Sequence, residues 1–160
     1  MFQEDIQQQF TLERENEQFY RALSSAADMV NWPGAAKFFA SSADDERSHA
    51  LRIQNYLIDR NIKPIFEILE AIPDVDGNNY AGMFELALQR ERMTTDSINQ
   101  KYQNACDEPD PQTIALLVSS QGDWPGYIQE QTDSERELVD MITMIRRLSQ
   151  DGLIQFDSEL

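Results

Sequence analysis

Apolar side chains recur every three or four residues along four long stretches of the chain, which are separated by segments containing proline and glycine. This spacing is that of an amphipathic α-helix with one buried face, and the alternating β-branched residues of strands are scarce. The pattern predicts an all-α fold, a bundle of four helices followed by a short C-terminal helix or tail after Gly152.

Two similar segments interrupt the apolar pattern. In "NWPG", residues 31–34, Asn31 can cap a helix whose first turn contains Pro33, because proline at that position loses no intrahelical N–H bond. In "GDWPG", residues 122–126, a proline lies between two glycines, which should kink or interrupt the fourth helix. Because its chemistry repeats that of "NWPG", we interpret the second segment as the start of a new helix.

The second and third helical stretches are joined by a long connection, from about residue 61 to residue 78, that contains Pro64, Pro73 and "DVDGN". A tight turn between neighbouring helices needs far fewer residues. The length predicts that the second and third helices run parallel, as in bundles with one long crossover. We expect residues 1–160 to form a single domain.

Each predicted apolar stripe also contains a side chain that can bind a metal: Glu13 on the first, Glu46 and His49 on the second, Glu91 on the third and Gln131 on the fourth. Residues three apart are neighbours on a helix, so Glu46 and His49 can reach the same ion. A single such glutamate is usually a solvated surface residue. Here all four stripes carry a potential ligand, and this coincidence predicts a shared cation. A buried carboxylate must be paired with a positive charge, and no lysine or arginine lies on these stripes.

The chemistry of these side chains narrows the choice of metal. Carboxylates with one histidine and one amide suit iron or manganese better than a structural zinc, for which cysteine and histidine would be expected. The overall charge agrees with a cation as ligand. Thirteen basic and 29 acidic residues give a net charge of −16, which disfavours nucleic acid and anionic membranes as partners.

The chain shows no signal for export or for membrane insertion. Its amino terminus, "MFQEDIQQQF", lacks the basic and apolar regions of a signal peptide, and no run approaches the ~20 apolar residues of a membrane helix. Cys106 is the only cysteine, so no intrachain disulfide can form, which fits a reducing compartment. We expect a cytoplasmic location.

The motifs around these positions resemble those of the non-haem ferritins, in particular the prokaryotic type. "TLERENEQFY" is similar to the first-helix motif, and "GAAKFFASSADDERSHALRIQNYL" to the second, with its Glu-x-x-His pair. "FELALQRERMTTDSINQKY" resembles the third helix and "YIQEQTDSE" the Glu–Gln segment of the fourth. The residues at the matching family positions are Glu13, Tyr20, Glu46, His49, Glu91 and Gln131.

This resemblance implies a ferritin-like four-helix bundle with a ferroxidase centre, in which dioxygen or peroxide oxidises two Fe(II) ions per subunit. By resemblance, Glu13, Glu46 and His49 would hold one iron, and Glu46 and Glu91 the other, with Glu46 as the bridge. Gln131 would orient a water or an oxygen species. The oxidised iron would be stored, without haem, in a homo-oligomeric cage, which has 24 subunits in this family.

Four further residues have weaker assignments. Tyr20 would donate an electron or a hydrogen bond by resemblance, although an ordinary core tyrosine explains its position equally well. Asp45, Glu130 and Asp133 match the carboxylates of a third, weaker iron site in prokaryotic ferritins, although solvated surface acids are the alternative for each. Asp44 we interpret as solvent-facing charge.

The chain also departs from the family pattern. Ser134 stands where the family often has a glutamate, and Glu135 could replace that ligand if the helix rotates. "GDWPG" has no family counterpart and adds residues in the region that normally lines the threefold iron channel. Because of this difference, the sequence does not determine which acids line that channel or whether the cage forms.

Two other classes of protein compete with the ferritin interpretation. A di-iron oxidoreductase of the rubrerythrin or bacterioferritin kind uses a second Glu-x-x-His, whereas this chain has one histidine. The haem-binding methionine of bacterioferritin is absent as well, since Arg47 and Ser48 occupy those places. A non-catalytic helical scaffold is the other alternative, and it leaves the inward carboxylates unexplained.

Overall fold

The computed structural model describes the backbone from residue 2 to residue 160 and the side chains from residue 3. Over this range the chain forms helices and no strand, which confirms the all-α prediction and the short C-terminal helix. The helices are α1 (Phe2–Met29), α2 (Pro33–Asp59), α3 (Tyr80–Asp107), α4 (Pro111–Val118), α5 (Tyr127–Ile145) and α6 (Gln150–Glu159). None of the described helices is long and apolar enough to cross a membrane.

The start of α2 differs from the prediction. Asn31 is not its cap, because Asn31 adopts a left-handed φ of 64° in the turn that closes α1. The N-cap is Trp32, whose side chain makes no capping bond. Instead, the buried carboxylate of Asp157, on α6, accepts hydrogen bonds from the backbone N–H groups of Gly34 (2.9 Å) and Ala35 (2.8 Å). The C-terminal helix therefore supplies the cap of α2.

The long connection crosses the bundle as predicted. Residues 65–70 follow α1 in its own direction, because Gln7 bonds to the backbone of Ile65 near the start of α1 and Gln18 to the carbonyl of Glu70 further along. Helix α1 is antiparallel to α2 across a short turn. It is also antiparallel to α3, with contacts at Tyr20–Glu91 and Asp5–Asn104. Helices α2 and α3 are consequently parallel.

The predicted interruption of the fourth helical stretch is confirmed. Helix α4 ends at Val118 and α5 begins only at Tyr127. Gly126 has a φ of 95°, which side chains rarely tolerate, and an added Cβ would approach the backbone of Val118 to 3.1 Å. A new helix begins directly after this segment, as interpreted, although Pro125 precedes α5 whereas Pro33 lies in the first turn of α2.

Two apolar clusters fill the bundle, one on each side of a polar layer. The first lies near the α1–α2 turn and includes Leu23, Ala27, Phe39, Phe84 and Ile142. The second, at the opposite end, includes Ile6, Phe10, Ile53, Ile98, Leu117 and Tyr127. Every helix that passes between them carries a buried polar side chain at that level: Glu13, Glu46, His49, Glu91 and Gln131.

Candidate metal centre

Four helices contribute to this layer, and two of them, α1 and α2, supply its most compact group of side chains. Glu13, Glu46 and His49 are 1%, 4% and 7% exposed, and one ligand atom from each lies within 4.8 Å of the others. His49 Nδ1 is 3.2 Å from Glu46 Oε2 and 3.8 Å from Glu13 Oε2. The three-residue spacing on α2 puts Glu46 and His49 on one face, as the sequence predicted.

The carboxylate of Glu13 is held by one oxygen and free at the other. Its Oε1 accepts a 2.6 Å hydrogen bond from Gln9, which accepts one from Ser97, whose hydroxyl accepts one from Lys101. Its Oε2 is buried and has no hydrogen-bond partner among the described residues. Buried carboxylate oxygens are almost always satisfied, so this atom indicates a place that a cation would fill.

The pKa values of the cluster show the same need for positive charge. Burial, followed by repulsion from Glu46, raises the pKa of Glu13 well above its usual value. The same two causes raise the pKa of Glu91 to about 7. Burial lowers the pKa of His49, but hydrogen bonds with Glu130 and Glu46 and the charge of Glu13 outweigh it, so that the pKa rises well above 6.5. Without a cation, protons are retained in this layer.

Glu91 lies next to these groups and both of its oxygens are hydrogen-bonded. Tyr20, on α1, donates from its hydroxyl to Oε1, and Gln131, on α5, donates from Nε2 to Oε2 at 2.7 Å. Gln131 also donates to the backbone carbonyl of Glu91 at 3.1 Å. Burial and the charge of Glu91 raise the pKa of Tyr20, so this phenol stays protonated and able to donate. The structure thus brings all six predicted side chains of the centre to one level of the bundle.

The three accessory acids border an open cleft beside this layer. Asp45, Glu130 and Asp133 line a cleft of about 630 Å³ together with Ser134 and Glu137. A narrower cavity of about 70 Å³ shares Asp45, Glu130, Ser134 and Glu137 with it and extends inward to Tyr20, Glu46 and Glu91. Acidic side chains thus line the boundary between the open cleft and the cavity that contains the buried side chains.

Glu135 does not take the place of the missing glutamate at Ser134. Thr95 donates a hydrogen bond to its carboxylate, and Arg92 lies 3.8 Å away, so Glu135 is held on the α3 side of α5. Asp44 is exposed, as expected, and forms a 2.5 Å ion pair with Arg21.

Two residues that contact the centre were not predicted from the sequence. Gln9 lies four residues before Glu13, a spacing at which helix side chains meet, so its contact could have been anticipated. Trp124, in the loop between α4 and α5, donates from its indole N–H to Glu130 Oε2. No periodicity applies to a loop, and nothing in the sequence indicated this contact.

The donor set fits iron. Three buried glutamates, one imidazole and one amide, contributed by four helices of a bundle, are the side chains that carboxylate-rich iron or manganese sites use. Fold and site together define a ferritin-like bundle protein. The family model described as "Ferritin-like domain" matches residues 3–148, and the chain belongs to the ferritin family.

Individual relatives are similar at low identity over most of the chain. A ferritin from Pacifastacus leniusculus is 27% identical over 98% of this chain and 86% of its own length. A bacterial non-heme ferritin from Staphylococcus epidermidis is 27% identical over 88% of this chain and 81% of its own. An open pore ferritin from the archaeon Archaeoglobus fulgidus has a TM-score of 0.89 at 21% identity, covering 99% of this chain and 94% of that one. The ferritin-like fold and the predicted family are confirmed.

Proposed function

We propose that this protein stores iron and that it oxidises Fe(II) at the candidate metal centre. The observation that carries the proposal is the buried Oε2 of Glu13, which lacks a hydrogen bond and faces His49 Nδ1 next to Glu46. Relatives named ferritin and bacterial non-heme ferritin support iron as the metal. In this proposal residues 1–160 act as one ferritin-like domain, and the cytoplasmic location stays a prediction.

The reaction transfers two electrons in all. Two Fe(II) ions each give one electron to dioxygen, which takes up two protons and leaves as hydrogen peroxide, and two Fe(III) ions remain. Anionic ligands stabilise the higher charge of Fe(III) more than that of Fe(II), so a site with three buried carboxylates favours this direction. Peroxide is the alternative oxidant.

Each side chain of the centre has a role in this proposal. Glu13, Glu46 and His49 bind one iron, and Glu46 bridges to a second iron on Glu91. Gln131 donates to Glu91 and so orients it, which leaves the amide oxygen of Gln131 to face a metal or a water. Tyr20 donates to the other oxygen of Glu91, at a position from which an electron or hydrogen bond can reach the second iron.

The open cleft gives the accessory acids a role as well. Asp45, Glu130 and Asp133 border it, so Fe(II) attracted by their charge would pass from there into the narrower cavity that reaches Glu46 and Glu91. A third, weaker iron site on these acids belongs to the same proposal. Storage further requires a homo-oligomeric cage, for which we propose the 24 subunits of the family and no haem.

Aerobic oxidation of Fe(II), followed by absorbance, tests the activity. The protein should increase the rate over buffer, and His49→Ala should slow it. Asp44→Ala, a change at an exposed acid on the same helix, should not. A rate equal to that of buffer would leave a non-catalytic scaffold as the function.

An anomalous-scattering map of an iron-soaked crystal tests the ligand assignment. Glu46→Ala should lose both ions and Glu13→Ala chiefly one, so two ions retained after the Glu46 change would refute the bridge. Size exclusion tests the cage independently. A particle far larger than the 18.5 kDa chain is expected, whereas a monomer or dimer would remove storage and leave oxidation possible.

A further inference from the structure

The loop between α4 and α5 is tied to the imidazole of His49 through one carboxylate. Glu130 is the link: its Oε2 accepts a hydrogen bond from the indole N–H of Trp124, and its Oε1 lies 3.0 Å from His49 Nε2. Both oxygens of Glu130 are therefore engaged. The other ring nitrogen of His49, Nδ1, faces Glu46 and Glu13.

This arrangement separates the two nitrogens of the only histidine. An imidazole that binds a metal through one nitrogen usually donates its other N–H to a carboxylate, a backbone carbonyl or a water, which fixes the ring and its tautomer. Here Nδ1 is directed at the buried carboxylates and Nε2 at Glu130. The geometry matches a metal on Nδ1 with Nε2–H donated to Glu130.

Trp124 is well placed to hold Glu130 still. Its side chain is only 9% exposed, packs edge-to-face on Tyr127 with ring centres 4.7 Å apart, and carries the Arg52 guanidinium 4.4 Å above its ring. The backbone of Trp124 also pairs with that of Gln121. The hydroxyl of Tyr127 donates to the backbone carbonyl of His49 at 2.8 Å, so the same segment holds the ring and the backbone of His49.

We propose that Trp124 is a positioning residue: through Glu130 it fixes His49 with Nε2 protonated and Nδ1 presented to the metal. This inference rests on the proposed metal centre and changes one assignment made there: Glu130 orients His49, and the third, weaker iron site is left to Asp45 and Asp133. The "GDWPG" segment thereby becomes part of the centre, since its Trp124 supplies the indole N–H that donates to Glu130 Oε2.

The single histidine makes a direct test possible. Protein labelled with ¹⁵N only at histidine has one pair of ring nitrogens, and Zn(II) is a diamagnetic probe of the site. In the Zn(II)-loaded protein we expect Nδ1 bound to the metal and Nε2 bonded to a hydrogen-bonded proton. Metal on Nε2, or a proton on Nδ1, would overturn the proposal.

Trp124→Phe removes the indole N–H and keeps most of the ring packing. In this variant the Nε2 proton signal should move upfield as the hydrogen bond to Glu130 loosens. The affinity for Co(II), measured anaerobically from its visible absorption, should fall about 10- to 100-fold. Trp32→Phe is the matched control, because Trp32 lies in the related "NWPG" segment and packs on Tyr80 at the far end of the bundle. Equal results for the two variants would refute the role of Trp124.

Glu130→Gln provides a second route if Trp124→Phe folds poorly. As a positioning residue, Glu130 should give the same loss of Co(II) affinity and the same shift at His49, and the double variant should be no worse than either single one. Loss of only a weaker third ion, with the His49 signals unchanged, would make Glu130 an accessory ligand and end the proposal. Wild-type protein that binds neither probe would instead contradict the proposed metal centre itself.

Discussion

Glu13 Oε2 on α1 lies 3.8 Å from His49 Nδ1 on α2, and it accepts no hydrogen bond from any described residue. The apolar clusters on either side of this pair offer it no hydrogen-bond donors, so a negative charge on Glu13 has few partners among the described residues. Buried polar residues that lack hydrogen-bond or charge partners in the absence of a ligand typically lower the free energy of unfolding and are retained for function. Metal-free stability and metal affinity should therefore respond in opposite directions to changes at this layer.

Glu13→Gln should stabilise the metal-free protein and weaken its metal binding. The amide is neutral at every pH, so it avoids both the repulsion with Glu46 and the cost of keeping a buried carboxyl protonated. It can still accept from Gln9, and it brings an N–H donor that can reach a neighbouring carboxylate. We expect a gain of roughly 1–3 kcal/mol in the free energy of unfolding, measured in urea with a chelator present. Glu17→Gln, at a more exposed position of α1, is the control and should change little. A destabilised Glu13→Gln protein would contradict the argument.

The metal-free protein should be more stable at about pH 5.5 than at about pH 8.5. The pKa of Glu91 is raised from 4.5 to about 7 in the folded state, so its carboxyl destabilises the fold progressively as pH rises through this range. The raised pKa of His49 acts in the same direction, because the stability contributed by its protonated form is lost as pH rises through the folded value. The lowered pKa of Glu130 acts oppositely, but only below about pH 4.5.

Urea midpoints across this pH range measure the effect. The raised pKa of Glu91 costs on the order of 3 kcal/mol in all, of which about 2 kcal/mol falls between pH 5.5 and pH 8.5, and Glu91→Gln should reduce the difference between the two pH values by that smaller amount. Metal binding must displace the retained protons, so affinity for Co(II) should instead increase with pH. Metal-free stability that rises toward pH 8.5 would refute the charges assigned to this layer.

Helical periodicity explains why so much of the centre could be predicted. Glu13, Glu46, His49, Glu91 and Gln131 lie on buried stripes whose phase can be counted along the chain, and the apolar residues around them fix which face is inward. The same rule shows why Glu135 failed as a substitute. One residue turns a helix by about 100°, which carries Glu135 away from the cavity that Ser134 lines.

The contacts that could not be predicted join parts of the chain that no local pattern relates. Asp157 caps α2 from more than 120 positions away, and the choice of Asn31 failed because local cap preferences cannot detect such a partner. Trp124 reaches Glu130 from a loop whose course depends on two glycines with positive φ. Loop geometry and packing between distant helices decide both contacts.

Tyr20→Phe should slow Fe(II) oxidation more than it weakens metal binding. The change removes the hydroxyl that donates to Glu91 Oε1, which leaves a buried carboxylate oxygen without that bond and costs about 1–3 kcal/mol of stability. Stopped-flow absorbance with anaerobic Fe(II) and dioxygen measures the rate, and a Co(II) titration measures binding. Tyr102→Phe, at a partly exposed tyrosine of α3, should leave both unchanged. An unaltered oxidation rate would reduce Tyr20 to a core tyrosine.

Asp157→Ala should destabilise the protein by removing the link between α6 and the start of α2. The carboxylate accepts from the N–H groups of Gly34 and Ala35 and from the hydroxyl of Tyr80 at 3.1 Å, so its loss leaves buried donors without a partner. We expect a loss of about 2–4 kcal/mol in urea unfolding, more than an ordinary cap contributes. Asp151→Ala, at an exposed acid in the first turn of α6, should cost well under half as much. Because α6 packs on the first apolar cluster, beside Tyr80, and lines neither the cavity nor the polar layer, the rate of Fe(II) oxidation at a temperature where both variants are folded should be unchanged. A loss of oxidation without a loss of stability would mean that α6 acts on the centre and not only on the cap.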